Sequence, residues 1–361
     1  MSQLILVAPA AFKGTFRPRQ VADALATGVR RALSDAAVML CPISDGGDGL
    51  LDAVLPPGSL RERLKVTGPL GAPVSGELGW MDAETAIFES ATACGMALLT
   101  PEQLDPLHAT TRGVGELVWE AVERGAKTVV VGLGGSATVD GGTGAARGLG
   151  WTLLDAAGAA LPDGGGSLVR LADVAGGWGL GEAQVIALGD VTTVLVGPQG
   201  AAPVFGPQKG AGPEGVKLLA RGLERLSDVM ARHGRPDLAT LPGGGAAGGL
   251  GAGLVFFAKA DLVPGAEWVL SRVGFDAALA KADLVITGEG AFDRTSLVGK
   301  ASGEVVRRAH AAKKRVTVVA GKVEGLAGLH ALDGAGAVLD AAGIAALGER
   351  AVRQALGLPA A

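Results

Sequence analysis

Asp45, Asp190, Glu289 and Asp293 each stand just after an apolar run that reads as a strand, as do Lys13, Lys322 and the pair Ser136 with Asp140. Carboxylates in such places can take a proton from a hydroxyl or help hold Mg²⁺, which in phosphoryl transfer needs only one or two of them. Lys13 and Lys209 each precede a glycine, so a mobile backbone could bring either ammonium to a phosphate as a point charge. In open parallel sheets ligands bind beyond the carboxyl ends of the strands. Any one of these acids could instead cap the helix that follows. Capping accounts less well for all of them falling at the same end of a strand.

The element that best explains such placement is the run Val129-Val130-Val131 and the turn Gly132-Leu133-Gly134-Gly135-Ser136-Ala137-Thr138-Val139-Asp140-Gly141-Gly142, with a small-residue helix after it. A buried strand there delivers a donor-rich turn to a helix N-terminus, which suits an anion. The anion could belong to a nucleotide or to a small acid.

The rest of the chain repeats that rhythm. Leu4–Ala8 reads as a buried parallel strand and Arg17–Leu33 as a helix with Val21, Leu25, Val29 and Leu33 on one face. Ala37–Ile43 reads as a strand, leading through Ser44-Asp45-Gly46-Gly47-Asp48-Gly49 into a helix over Leu50–Val54. Between 56 and 91, Pro and Gly divide short alternating runs, Leu60–Val66, Val74–Trp80 and Thr85–Glu89, which predict antiparallel or mixed strands. Helices are expected over Thr111–Gly125, Glu214–Arg232, the Gly-rich segment 242–260 and Gly303–Ala312. Strands are expected over Trp151–Leu154, Gln184–Leu188, Asp283–Thr287, Val316–Ala320 and Val338–Leu339. The Gly/Pro-rich stretch from Asp190 to Gly210 is too long for an idle connector. The fold class is therefore α/β. Residues 1–60 and 265–361 form a discontinuous, Rossmann-like doubly wound domain; residues 61–264 are an inserted α/β domain with a mixed sheet, and an active-site cleft is expected between them.

Composition removes several functions. A net charge of −4 over 361 residues, with 8 Phe, 5 Trp and no Tyr, gives no reason to expect nucleic acid or an anionic membrane as partner. Nothing reaches the roughly 18 uninterrupted apolar residues of a membrane span, and Leu4–Val7 is too short for a signal-peptide core. Cys41 and Cys94 lie in apolar segments, as buried thiols of a cytoplasmic protein would. His108, His233, His310 and His330 have no zinc spacing. No Walker-A ending follows Gly132–Asp140, and Pro9-Ala10-Ala11-Phe12 is not a dinucleotide fingerprint. Phosphoryl transfer survives, because it asks mainly for positioning, positive donors and a metal.

In order along the chain, these segments resemble the type I glycerate kinase family. The resemblance rests on Phe12-Lys13-Gly14, Asp45-Gly46-Gly47, Ala109-Thr110-Thr111 with Gly115-Glu116-Leu117, Gly132 to Gly142, Val204 to Ala211, Gly245 to Gly251, Thr287-Gly288-Glu289-Gly290 with Asp293, and Gly299-Lys300. It implies a two-domain kinase that uses ATP and Mg²⁺ to phosphorylate D-glycerate, with 2-phosphoglycerate as the expected product; the oligomeric state is left open, a homodimer being one possibility. On this reading Asp45 accepts the hydroxyl proton, with Asp190 second and Lys13 assisting. Gly134, Gly135, Ser136, Thr138, Asp140, Lys209, Glu289 and Lys300 bind substrate or phosphate, and Asp190, Glu289 and Asp293 hold the metal. The chain departs from the family pattern at Ala10, Ala11, Asp48, Leu50, Val139, Thr193, Val194, Ala291 and Thr295, where polar groups are lost or shortened. A lost hydrogen bond to a substrate hydroxyl alters discrimination strongly, so a related hydroxy acid, or a binding or regulatory role without turnover, stands as the alternative.

Overall fold

β1 (Leu4–Pro9) buries Ile5, Leu6, Val7 and Ala8 without alternation, as a parallel strand covered on both faces should. The structure is a computed structural model that describes residues 3–12, 14–297, 299–324, 329–334 and 340–359. The chain divides into two compact units, Met1–Pro56 with Pro264–Ala361, and Pro57–Val263. In the first, α1 (Pro18–Ala32) begins on a proline and a capping box, Gln20 Oε1 accepting from Arg17 N at 3.0 Å, and turns Val21, Leu25 and Val29 inward. β2 (Ala37–Leu40) stops short of the expected Ile43 because Pro42 has no N–H to give the ladder. Cys41 N and Ile43 N nonetheless still donate to Val7 O and Pro9 O. α2 (Leu50–Val54) closes this opening segment.

The second unit starts as a meander, β3 (Arg61–Thr67), β4 (Pro73–Trp80) and β5 (Thr85–Glu89), paired antiparallel. After α3 (Ala91–Cys94) and α4 (Arg112–Glu123), β6 (Thr128–Gly132) pairs with β5 in parallel. α5 (Thr143–Gly148) follows, then β7 (Trp151–Leu154) and β8 (Asp173–Gly176), which form a separate antiparallel ribbon. β9 (Gln184–Leu188) rejoins the sheet beside β6. The expected long loop contains α6 (Ala201–Phe205) and a 3₁₀ turn over Pro207–Lys209. α7 (Pro213–Arg232), α8 (Ala246–Phe257) and β10 (Asp261–Val263) complete the unit, whose sheet runs β10-β9-β6-β5-β4-β3.

The chain then returns to the first unit through α9 (Gly265–Arg272) and α10 (Phe275–Lys281), neither of which the sequence periodicity announced. β11 (Leu284–Phe292), α11 (Ala301–Ala311), β12 (Arg315–Val323), β13 (Ala331–Asp333) and α12 (Ala341–Leu356) follow. The described strands lie in the order β13-β12-β11-β1-β2, all parallel. Leu6, Val285, Phe292, Val305 and Val318 pack on one face of this sheet; Ile5, Val7, Leu25, Ile286, Ile344 and Val352 pack on the other. Helices thus cover both faces, the doubly wound arrangement. The strand expected over Val338–Leu339 lies outside the described residues.

Candidate functional site

In the second unit the glycine-rich turn leaves β6 beyond the strand's carboxyl end and is tied down on two sides. Met96 N donates to Gly135 O, and Ala137 N to Cys94 O, both at 2.8 Å. Gly141 N donates to Gly248 O at 3.0 Å. Gly248 sits at φ 73°, and a Cβ there would fall 1.9 Å from Thr138 O, so the start of α8 approaches this closely only with glycine. What the turn leaves over is its own N–H groups. Among the described residues, the amides of Gly134, Gly135, Ser136, Thr138, Val139 and Asp140 donate to no protein acceptor. Thr138 Oγ1 and the nearby Ser90 Oγ are also buried without a partner. Gly134 is half-buried and Gly135 exposed, so water reaches their amides; the buried donors of Ser136, Thr138, Val139 and Asp140, which the fold does not satisfy, point to a water or a ligand.

The charged side chains around this turn are spent on holding it. Asp140 is 0% exposed. Its carboxylate accepts from Thr111 N at 2.9 Å, Thr111 Oγ1 at 2.8 Å, Gly144 N at 3.0 Å and Gly142 N at 3.1 Å. Burial pushes its pKa up against the pull of those donors. The first amides of α5 are therefore capped by the protein's own anion, which corrects the expectation that this helix N-terminus receives an external one. Lys209 is equally enclosed, 4% exposed, and donates to Ser136 Oγ at 2.9 Å and Thr138 O at 2.7 Å. Its ammonium also lies 5.6 Å from the centre of the Phe205 ring. Burial lowers its pKa to about 8, with Cys94 and Asp140 opposing the shift. Asp190 stands half-buried directly after β9.

The first unit carries a second cluster. Asp45 lies half-buried in the turn after β2, where its Oδ1 accepts from Gly47 N at 3.2 Å. That turn is backed by Gly265, where a Cβ would come within 2.2 Å of Asp45 O. β11 continues past Thr287, the expected end, to Phe292. Glu289 is accordingly not in a turn: it lies one step beyond the last pairing with β1, Pro9 with Gly288, while still pairing with Ala320 of β12. Its carboxylate accepts from Lys300 Nζ at 3.0 Å and from Ser302 Oγ at 2.5 Å, and Lys300 also reaches Ser296 Oγ at 3.1 Å. Asp293 Oδ1 accepts from Thr295 Oγ1 at 2.6 Å, Thr295 N at 2.7 Å and Ser296 N at 3.2 Å. Those donors hold its carboxyl below the usual range.

Lys13 lies outside the described residues. Lys322 is exposed on β12, paired with Glu324. The four histidines are exposed, and both cysteines are buried. Thr111, Ser296 and Ser302, which orient Asp140, Asp293, Glu289 and Lys300, were not singled out for these roles by the sequence. For Ser296 and Ser302 the signal is position, a hydroxyl within a few residues of Lys300; Thr111 stands in the Ala109-Thr110-Thr111 segment on which the family resemblance rests. No group of three or more His, Cys, Asp or Glu able to hold a metal occurs among the described residues. Both oxygens of Glu289 are engaged by protein donors, whereas the donors to the Asp293 carboxylate converge on Oδ1.

Residues 5–356 match the sequence profile of the glycerate kinase family. A glycerate 2-kinase of Escherichia coli (strain K12) is 38% identical over 94% of this chain and 91% of its own length. A glycerate kinase of Bacillus subtilis (strain 168) is also 38% identical, over 88% and 85%. A crystal structure provisionally assigned as glycerate kinase 2 from Salmonella typhimurium LT2 superposes with a TM-score of 0.84, at 36% identity, covering 99% of this chain and 98% of that one.

Proposed function

The chain belongs to the glycerate kinase family, and from that premise we propose that it transfers a phosphoryl group from ATP to D-glycerate, giving 2-phosphoglycerate, with Mg²⁺ as the accompanying cation. The observation that carries this reading is the extent of the family match, which from residue 5 to 356 takes in both polar clusters. The unpaired amides of Gly134, Gly135, Ser136, Thr138, Val139 and Asp140 receive an oxyanion, neutralising it by dipoles rather than by a fixed charge. Asp45 accepts the proton of the glycerate hydroxyl as that oxygen attacks phosphorus, and Asp190 is the second candidate for this role. Asp140 holds the turn and does not touch ligand.

Mg²⁺ supplies charge neutralisation on the phosphoryl oxygens. Asp293 is the candidate ligand in the first unit and Asp190 the candidate in the second, with nucleotide oxygens and water able to complete the shell at either. Glu289, engaged by Lys300 and Ser302, instead aims the Lys300 ammonium, a point charge suited to a phosphate. No helix among the described residues is long and apolar enough to cross a membrane. The test is direct: protein, ATP, Mg²⁺ and D-glycerate are mixed, ADP is followed, and the product isomer is identified. ADP formation that depends on glycerate, with 2-phosphoglycerate as product, is expected. Glycerate binding without ADP above background would overturn the reading in favour of a binding protein.

A further inference from the structure

Lys209 is placed where a ligand-binding lysine should not be. Its Nζ is enclosed, and its contacts are with the turn itself, Ser136 Oγ at 2.9 Å and Thr138 O at 2.7 Å. An ammonium group has donors only, so Ser136 Oγ must accept from it. The hydroxyl proton of Ser136 is thereby turned elsewhere, and among the described residues it has no protein acceptor. Ser136 is itself 2% exposed and belongs to the segment whose amides are unpaired, so its O–H joins that set of donors.

We infer that Lys209 is a positioning residue: it fixes the glycine-rich turn and holds the Ser136 hydroxyl as a donor toward a bound oxyanion, a phosphoryl or a carboxylate oxygen, without touching that ligand itself. The inference rests on the reading that this turn binds an oxyanion. It has a consequence in pH. The groups facing Lys209 are Asp140 from the turn, the Cys94 thiol of α3 and the Phe205 ring of α6. Burial, with Asp140 adding, pushes the Cys94 thiol up to about 12, so it stays neutral. Asp140 keeps its four donors. Lys209, its pKa lowered by burial to about 8, changes state near that pH. Below that pH the ammonium forces the Ser136 proton outward. Above it the neutral amine can accept that proton, and the donor is withdrawn from the ligand.

The experiment is calorimetric titration of ATP with Mg²⁺, and separately of D-glycerate, into the full-length protein and its Ser136→Ala variant, below and above pH 8. Wild-type affinity for one of the two ligands is expected to fall about tenfold as pH rises through that value, the usual scale for a hydrogen bond to a charged group. Ser136→Ala should already be weaker by that factor at low pH and show no further fall. Loss confined to ATP assigns the site to phosphoryl oxygens, and loss confined to D-glycerate assigns it to the carboxylate. A Lys209→Met variant that folds should match Ser136→Ala, and the double variant should be no worse than either. If Lys209→Met does not fold, the wild-type and Ser136→Ala comparison still decides. A Ser136→Ala variant that is weaker yet keeps the wild-type pH dependence would overturn the role of Lys209. A Ser136→Ala variant that binds both ligands as wild type does would instead remove the turn as an oxyanion site.

Discussion

The two polar clusters differ in what their side chains are left to do. Around the turn of the second unit, Asp140 and Lys209 are buried and engaged with Thr111, Gly142, Gly144, Ser136 and Thr138. The surface this cluster offers is backbone N–H. In the first unit, Asp45, Asp293 and Lys300 are half-buried, and Glu289 serves Lys300 and Ser302. That cluster offers side chains. A site made of amides binds an oxyanion without titrating, whereas one made of carboxylates and a lysine can move a proton or hold a cation. One kind lies in each unit.

Substitutions should separate the two kinds of cluster. The largest effect on folding belongs to Asp140→Ala, which strands the amides of Thr111, Gly142 and Gly144 and removes a charge that favours the Lys209 ammonium. A loss of about 3 kcal/mol or more is expected in denaturant unfolding; unchanged stability would mean that the turn is held by other means. Asp45→Asn should act on turnover instead, lowering it by at least about a hundredfold, with an unfolding midpoint near wild type. Near-normal turnover in an ADP-coupled assay would remove Asp45 as the base. The smallest effect is expected at the exposed pair Lys127–Glu84, whose side chains are 72% and 57% exposed. Lys127→Ala should change stability by less than about 0.5 kcal/mol and leave rates alone. A larger change there would show that an exposed ion pair stabilises this fold more than solvent screening allows.

The elements legible in the sequence were those whose apolar spacing is set by one buried face. α1, α4 and α7 lie within a few residues of their expected spans, as do β3, β4 and β5. What could not be read depends on tertiary pairing. β11 runs on to Phe292 because β12 continues beside it, although Gly288-Glu289-Gly290 looks like a turn. α6 forms inside a segment whose glycines and prolines suggest a loop. The polar residues at strand ends were visible as a pattern, but their states were not. Nothing in the sequence distinguishes Asp140, with four protein donors, from Asp45, for which one is recorded. Nor does it show that Lys209, glycine-flanked and ostensibly mobile, is locked beneath Ser136 and Thr138. Burial of a charge follows from partners distant in sequence, here 73 and 71 residues away.

The central claim is that the free amides between Gly134 and Asp140 receive an oxyanion of the reacting ligands. Amide hydrogen exchange of the segment 132–142, with and without ATP and Mg²⁺ and with and without D-glycerate, tests it most directly. Slower exchange at Gly134, Gly135 and Ser136 with at least one ligand is the predicted result. Unchanged exchange there under both ligands, in protein that turns over, would contradict it.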